Sequence, residues 1–357
     1  MRVLHMIPDI GIANGVMSVI LNYFKAMPEE IKFDVCYFAE KEKTRQADIE
    51  SLGGRVFKIP APSPNGLLRR DMSTFFAQHK GEWQALHIHA PHFAVFMAPQ
   101  AKAAGIKKIC CHCHSTCFSL KGNQARNKIL SLYSRYFVKT KFACSIAAGS
   151  LWYGGSDFTV LNNAIDCSEY AFNEEKRNAV RQKMGLNDSF VAGDIGRTDI
   201  PQKNHHQLIK IFSEIKKKNS NSKLLLMGAE KTDELFELCK SLGVENSVEF
   251  LGCRTDISQL LQACDVFLFP STNEGLPVSL IEAQAAGLPV IMSDTITDEV
   301  CITDEICRLP LDSAPSIWAE KVLESKENAR KNNLEFMKTA GWDIYDAAEK
   351  LAAYYRG

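Results

Sequence analysis

The sequence predicts an α/β protein built from two doubly wound units, and three observations carry that expectation. At 357 residues the chain exceeds what one hydrophobic core usually serves. Short apolar runs rich in β-branched residues alternate with longer amphipathic stretches, the pattern of parallel strands covered on both faces by helices. That alternation stops once, at NNAIDCSEYAFNEEKRN (162–178), and then begins again.

In the first half, strands are expected at 2–7 (RVLHMI), 33–39 (FDVCYFA), 55–59 (RVFKI), 85–90 (ALHIHA) and 107–114 (KKICCHCH). A helix over 16–27 ends near Pro28, and another is expected around 123–138. The acidic break places a hinge near 160–170, with units over 1–165 and 166–340. In the second half the strands are 190–196, 223–228, 247–252, 265–271 and 289–294, with helices from about His205 and around 232–242. Open parallel sheets bind ligands at the carboxyl ends of their strands, so the expected site is a cleft between two such sheets.

Composition excludes several classes. Lys plus Arg and Asp plus Glu both number 42, so the net charge gives no signal for nucleic acid. No apolar run reaches the roughly 18 residues that span a bilayer, and the first residues lack a secretory core. Twelve cysteines without an export signal are expected as reduced thiols in the cytoplasm. The charge is nevertheless uneven: residues 83–156 hold no Asp or Glu but include Lys102, Lys107, Lys108, Lys121, Arg126, Lys128, Arg135, Lys139 and Lys141. Phe118, Leu120, Leu130, Tyr133 and Phe137 are interleaved among them. This reads either as a solvated basic surface or as a face meeting anions, a lipid-linked diphosphate or the inner membrane surface.

The most informative stretch is DVFLFPSTNEGLPVSLIEAQAAGLPVIMSD (265–294). A buried strand gives way to a polar loop, Pro277 suits a first helical turn, and Gly287 with Pro289 ends the helix. Such a helix start offers free N–H groups and partial positive charge to a phosphate. Glu282, inside the helix, can accept two hydrogen bonds from a ribose diol, and Glu274 lies in the loop. In GDIGRTDIPQKNH (193–205), Arg197 and Lys203 bracket another loop after a strand, where two cations suit a diphosphate leaving group.

EGLPVSLIEAQAAGLPV resembles the E-x7-E signature of the family 4 retaining glycosyltransferases of GT-B fold, nearest to their capsular and exopolysaccharide branch. The resemblance covers nearly the whole chain. It implies two Rossmann-like domains facing across a cleft, with Glu282 on the ribose, Glu274 on the donor sugar, and the backbone of Gly275 and Leu276 against the sugar phosphate. It places GR…QKN, hence Arg197 and Lys203, on the donor diphosphate. The final GWDIYDAAEKLAAYYRG is similar to the family's terminal helix, which returns from about 341–357 onto the first domain. Ala229 and Glu230 stand where the family continues Gly-rich, and base recognition is expected near Cys253 and Arg254. PDIGIANGVMS (8–18) resembles the Gly-rich loop near donor phosphate, with Gly15 retained. It is not G-x-G-x-x-G, which argues against a nicotinamide cofactor. KFACSIAAG and NNAIDCSEY are similar to linker blocks. No D-x-D occurs, so no cofactor and no divalent metal are expected.

ICCHCHSTC (109–117) holds four cysteines and two histidines. As a strand it sets same-face neighbours about 6.6 Å apart, too far for direct convergence on zinc, so no metal is expected there. Its carboxyl end carries His114, which the resemblance places beside the reacting sugar, with His112 as second choice. His89, in HIHAPH, is an acceptor-side candidate beside a packing role. The expected activity is transfer of a hexose or N-acetylhexosamine from a UDP-sugar to a saccharide, a lipid-linked one at the membrane's inner face. The rival expectations are a nucleotide-sugar 2-epimerase of the same fold and a non-catalytic carbohydrate-binding or assembly subunit.

Overall fold

The structure, a computed structural model, describes residues 1–12, 14–68, 70–118, 123–186, 188–327 and 330–357. Leu120 and Lys121 of the basic stretch lie outside the described residues. The chain divides into two compact units, Met1–Ile165 with Asp343–Gly357, and Asp166–Trp342.

The first unit is built on a parallel sheet of β1 (Arg2–Met6), β2 (Lys32–Tyr37), β3 (Val56–Lys58), β4 (Ala85–Ile88), β5 (Lys108–Cys113), β6 (Thr140–Ala143) and β7 (Thr159–Val160). Their spatial order is β3-β2-β1-β4-β5-β6-β7, which reverses direction between β1 and β4. Apart from the half-buried Arg2, β1 and β4 are mostly apolar and buried, as strands covered on both faces must be. The sequence stretch KFACSIAAG, expected as a linker block, instead supplies β6. TKFA holds two polar residues in four and lies near the sheet's edge, so it lacks the apolar run that announces a strand. The helix Gly15–Ala26 starts where the Asn14 side chain accepts from the N–H groups of Val16 and Met17, at 3.0 and 3.3 Å.

The chain returns to this unit at its end. Ile344 N–H donates to the Ile165 carbonyl at 2.9 Å, and Asp343 caps the helix Ile344–Arg356. That helix buries Ile344, Ala347, Leu351 and Tyr355, while Arg356 pairs with Glu30 and Lys108 reaches the Tyr355 carbonyl. At the other edge, Arg2, Arg55 and Trp83 converge on the buried Asp34 carboxylate. Burial alone would raise its pKa, but these donors overcome that and lower it to about 2.

The second unit has a parallel sheet of β8 (Phe190–Ile195), β9 (Ser222–Met227), β10 (Val248–Phe250), β11 (Val266–Phe269), β12 (Val290–Ser293) and β13 (Ile306–Leu309). The order β10-β9-β8-β11-β12-β13 puts the switch between β8 and β11, the strands that lead into the GRTDIPQKN and STNEGLPV loops. Its core joins Phe190, Leu224, Leu226, Val266 and Leu268 of the sheet to Leu208, Phe212 and Trp318 of the flanking helices. Gly287 ends the helix Val278–Ala285 at φ +69°, and a Cβ there would sit 2.0 Å from the Lys331 carbonyl. No other residue fits.

Candidate functional site

In the second unit the predicted residues gather at the carboxyl ends of β8 and β11. The loop after β8 turns at Asn204, held left-handed at φ 54°, and its side-chain amide donates to the Pro270 carbonyl at 3.1 Å. Thr272 N–H donates to the Gln202 carbonyl at 2.9 Å, so the two loops are stitched together. This brings Lys203 Nζ to 2.9 Å from Glu274 Oε1 and over the Phe269 ring. Gly196 is needed beside it, because a Cβ there would meet the Lys203 side chain at 2.9 Å. Gly275 is half-buried and Leu276 is buried at the approach to the helix Val278–Ala285. Pro277 is the residue just before the first helical turn, one place earlier than expected, and carries no N–H to compete for a ligand.

Glu282 is half-buried within that helix, and its Oε1 accepts from the Tyr170 hydroxyl at 2.8 Å. Burial pushes its carboxyl up to about 7, against the opposing pull of Tyr170 and Lys203. Asp194, at the end of β8, is likewise raised to about 7 by burial, with Lys203 pulling down and Glu274 pushing up. His205 Nε2 lies 3.9 Å from it and is held neutral by its own burial, at about 4. Arg197 does not join Lys203; its guanidinium faces Asp199 at 3.2 Å. Arg254 forms a bidentate pair with Asp256 in the loop after β10. Gly228 comes close to the Gly196 backbone and donates to the Gly252 carbonyl at 2.7 Å, so glycines from three strand ends form a bare backbone floor.

Tyr170, Asp194 and His205 were not singled out from sequence. An acid inside the apolar run FVAGDIG was a signal for Asp194. Tyr170 had none, since it meets Glu282 across 112 positions.

In the first unit Gly15 opens its helix with nothing among the described residues within 4 Å of where a Cβ would stand, so they do not require glycine there. His114, just past β5, has both ring nitrogens engaged: Nε2 with His89 Nδ1 at 2.9 Å and Nδ1 with Asn163 Oδ1 at 3.3 Å. His89 Nε2 in turn faces His5 Nδ1 at 2.9 Å. If the Asn163 oxygen accepts from His114, each ring in this chain carries its proton on Nδ1. Burial holds all of them neutral: His114 falls to about 4, and His89 and His112 go well below the usual histidine range. The expectation that ICCHCHSTC could not converge considered one strand alone. The structure adds His89 from just past β4, so that His89, His112 and His114 each offer a ring nitrogen within 4.8 Å of the others.

Residues 176–334 match the family model described as glycosyl transferases group 1. Over 99% of its length the chain is 29% identical to the putative glycosyltransferase EpsF of Bacillus subtilis, 94% of which is covered. It is 25% identical, over 82% of its length and 79% of the relative's, to the UDP-Gal:alpha-D-GlcNAc-diphosphoundecaprenol alpha-1,3-galactosyltransferase of Escherichia coli. Among solved structures, HepE of Anabaena in complex with UDP and glucose superposes with a TM-score of 0.82 over the whole of both chains at 20% identity. That likeness establishes the α/β fold of two Rossmann-like domains, the GT-B class expected from the sequence. The domain match and the fold together support a glycosyltransferase.

Proposed function

We propose that this glycosyltransferase is a retaining, metal-independent enzyme that moves a hexose or N-acetylhexosamine from a UDP-sugar to a lipid-linked saccharide in capsular or exopolysaccharide synthesis. One observation carries the reading most: the Lys203–Glu274 pair sits where the β8 and β11 loops meet, on the same unit as the half-buried Glu282. Glu282 as a carboxylate accepts from the ribose hydroxyls. Lys203 exchanges its pairing with Glu274 for the donor diphosphate, freeing Glu274 to accept from the sugar hydroxyls. Arg197 adds a second cation by leaving exposed Asp199, a weak surface pair. Arg254 and the glycine floor lie on the side proposed for the base.

In the reaction the acceptor hydroxyl oxygen bonds to the anomeric carbon as the bond to the UDP oxygen breaks on the same face. The departing phosphate oxygen takes the acceptor's proton, and Lys203 stabilises its growing charge. His114 is assigned to the sugar, which requires it to give up its long contact with Asn163, and His89 and His112 to the acceptor side. The acceptor class is supported by the lipid-linked substrate named for the E. coli relative.

Membrane association rests on the helix Gln124–Phe137. It exposes Ile129, Leu132, Tyr133 and Tyr136 among Lys128 and Arg135. Among the described residues no helix is long and apolar enough to cross a membrane.

The deciding experiment incubates the chain with a UDP-sugar panel and a polyprenyl-diphosphate saccharide, with and without EDTA, following UDP release and product anomeric configuration by NMR. An α-linked product from an α-linked donor, formed equally with EDTA, is expected. An inverted product, or activity abolished by EDTA and restored by Mg²⁺, would sink the reading. Turnover of the UDP-sugar without any acceptor would point to an epimerase instead.

A further inference from the structure

The first unit carries a histidine cluster larger than sugar transfer requires, and strand register builds it. The β1–β4 ladder sets His5 beside His87, and the β4–β5 ladder sets Ile88 beside Cys111. One residue further on, His89 and His112 fall side by side. Alternation along β5 puts His114 on the face of His112, and their ring centroids lie 3.9 Å apart. His89 Nδ1 and His114 Nε2 are 2.9 Å apart, and His112 Nε2 is buried with no hydrogen-bond partner among the described residues.

We infer that His89, His112 and His114 form a site for one zinc-class divalent ion, bound by His89 Nδ1, His112 Nε2 and His114 Nε2. Tetrahedral zinc with bonds of about 2.0–2.1 Å holds its nitrogens about 3.3–3.4 Å apart. The His89–His114 pair is already near that span. His112 closes the remainder by a ring movement of at most about 1.5 Å.

The far nitrogen of each ligand is already held. His89 Nε2 faces His5 Nδ1, His114 Nδ1 faces Asn163, and the His112 ring hydrogen-bonds the Leu161 backbone. Outer partners of this kind fix the tautomer and aim of a metal-bound imidazole. The proton between His89 and His114 does not leave the protein. His89 becomes its Nε2–H tautomer and donates to His5 Nδ1, and His5 carries its own proton on Nε2. Three neutral imidazoles suit zinc, copper or nickel over magnesium or calcium. Cys111 and Cys113 point to the opposite face of β5, and no cysteine belongs to the cluster of ligand atoms within 4.8 Å, so the set is nitrogen only. Binding needs only the first unit's own residues, and because it occupies His114 Nε2 while Nδ1 faces Asn163, it excludes the sugar contact proposed for His114 while the ion is bound.

The test uses the untagged full chain, produced with zinc in the medium and dialysed into metal-free buffer. One Zn²⁺ per chain by mass spectrometry of the elements is expected, and Co²⁺ in its place should show nitrogen ligation without a thiolate charge-transfer band. His112→Gln and His114→Gln should each weaken zinc by ~100-fold or more in competition with a chromophoric chelator, and Asn163→Ala, which removes only an outer partner, by about 10–100-fold. A chain that takes up no stoichiometric zinc even when refolded with it overturns the proposal. So does zinc retained by both glutamine variants, or a cobalt spectrum with thiolate bands, which would put the ion on cysteines. Should the glutamine variants misfold, unchanged affinity in Asn163→Ala overturns it as well.

Discussion

On the proposed reading Lys203 and Glu282 do different work, and their substitutions should separate. Lys203 opposes charge that grows only as the sugar–phosphate bond breaks, so Lys203→Ala should lower kcat by about 10²–10³ with a smaller change in KM. Steady-state UDP release measures this, and unaltered kcat removes Lys203 from the mechanism. Glu282 must be a carboxylate to accept from ribose, yet burial holds its pKa at about 7 and only the Tyr170 hydrogen bond and Lys203 pull it down. UDP affinity should therefore weaken as pH falls below 7. Tyr170→Phe removes a donor to the charged form, so the midpoint should move up and UDP binding at pH 7 weaken by about 10-fold. Calorimetry from pH 5.5 to 8.5 decides, and an unshifted midpoint contradicts the assignment. These two glutamates and Lys203 were legible in the sequence because strand, loop and helix signals bracket them. Tyr170 and the Asn163 contact of His114 were not, since long-range packing leaves no local pattern.

At the scale of elements, apolar runs such as LLLM and VFLF announced buried strands, and Pro and Gly announced helix limits. The strands that escaped notice, β6, β7 and β13, are short and partly polar because they lie toward sheet edges, where one side needs no apolar cover. The histidines of HIHA and CHCH were visible, but their meeting depends on the β4–β5 register, which a single strand cannot show. The helix Gln124–Phe137 bears its own prediction. Tyr133 and Tyr136 are 58% and 72% exposed, so replacing both by Ser should leave thermal stability within about 0.5 kcal/mol. Co-sedimentation with anionic vesicles at low salt should nevertheless fall several-fold. Equal sedimentation of variant and parent would leave the basic stretch as ordinary solvated surface.

For the whole molecule, the two units carry buried carboxyls with opposite acid–base preferences. Asp34 in the first unit is lowered from 3.8 to about 2, so its contribution to stability is present above the unfolded value and disappears as pH falls through 2. Asp194 and Glu282 in the second unit are raised from 3.8 and 4.5 to about 7. Their contribution is full below those unfolded values and is lost as pH rises through about 7, where the native state must hold two buried charges. Raising the pH from 5 to 8 should thus lower the melting temperature of the second unit, its two carboxyls outweighing the one neutral His205, and should raise that of the first, whose buried histidines stay neutral in the native state while they lose their protons near 6.5 in the unfolded one. Scanning calorimetry under reducing conditions should resolve two transitions that draw apart over this range. Asp194→Asn tests the cause: it removes the charge with little change of shape, so it should raise the second unit's transition at pH 8 by several degrees and change it little at pH 5. On the proposed reading UDP acts on the same unit from the other side, since it rewards the charged Glu282, and saturating UDP should recover part of the loss at pH 8. A second-unit transition that is flat from pH 5 to 8, or moves identically with Asn at position 194, would mean these carboxyls titrate near their ordinary values. The donor site would then carry no stored electrostatic cost for the ligand to relieve.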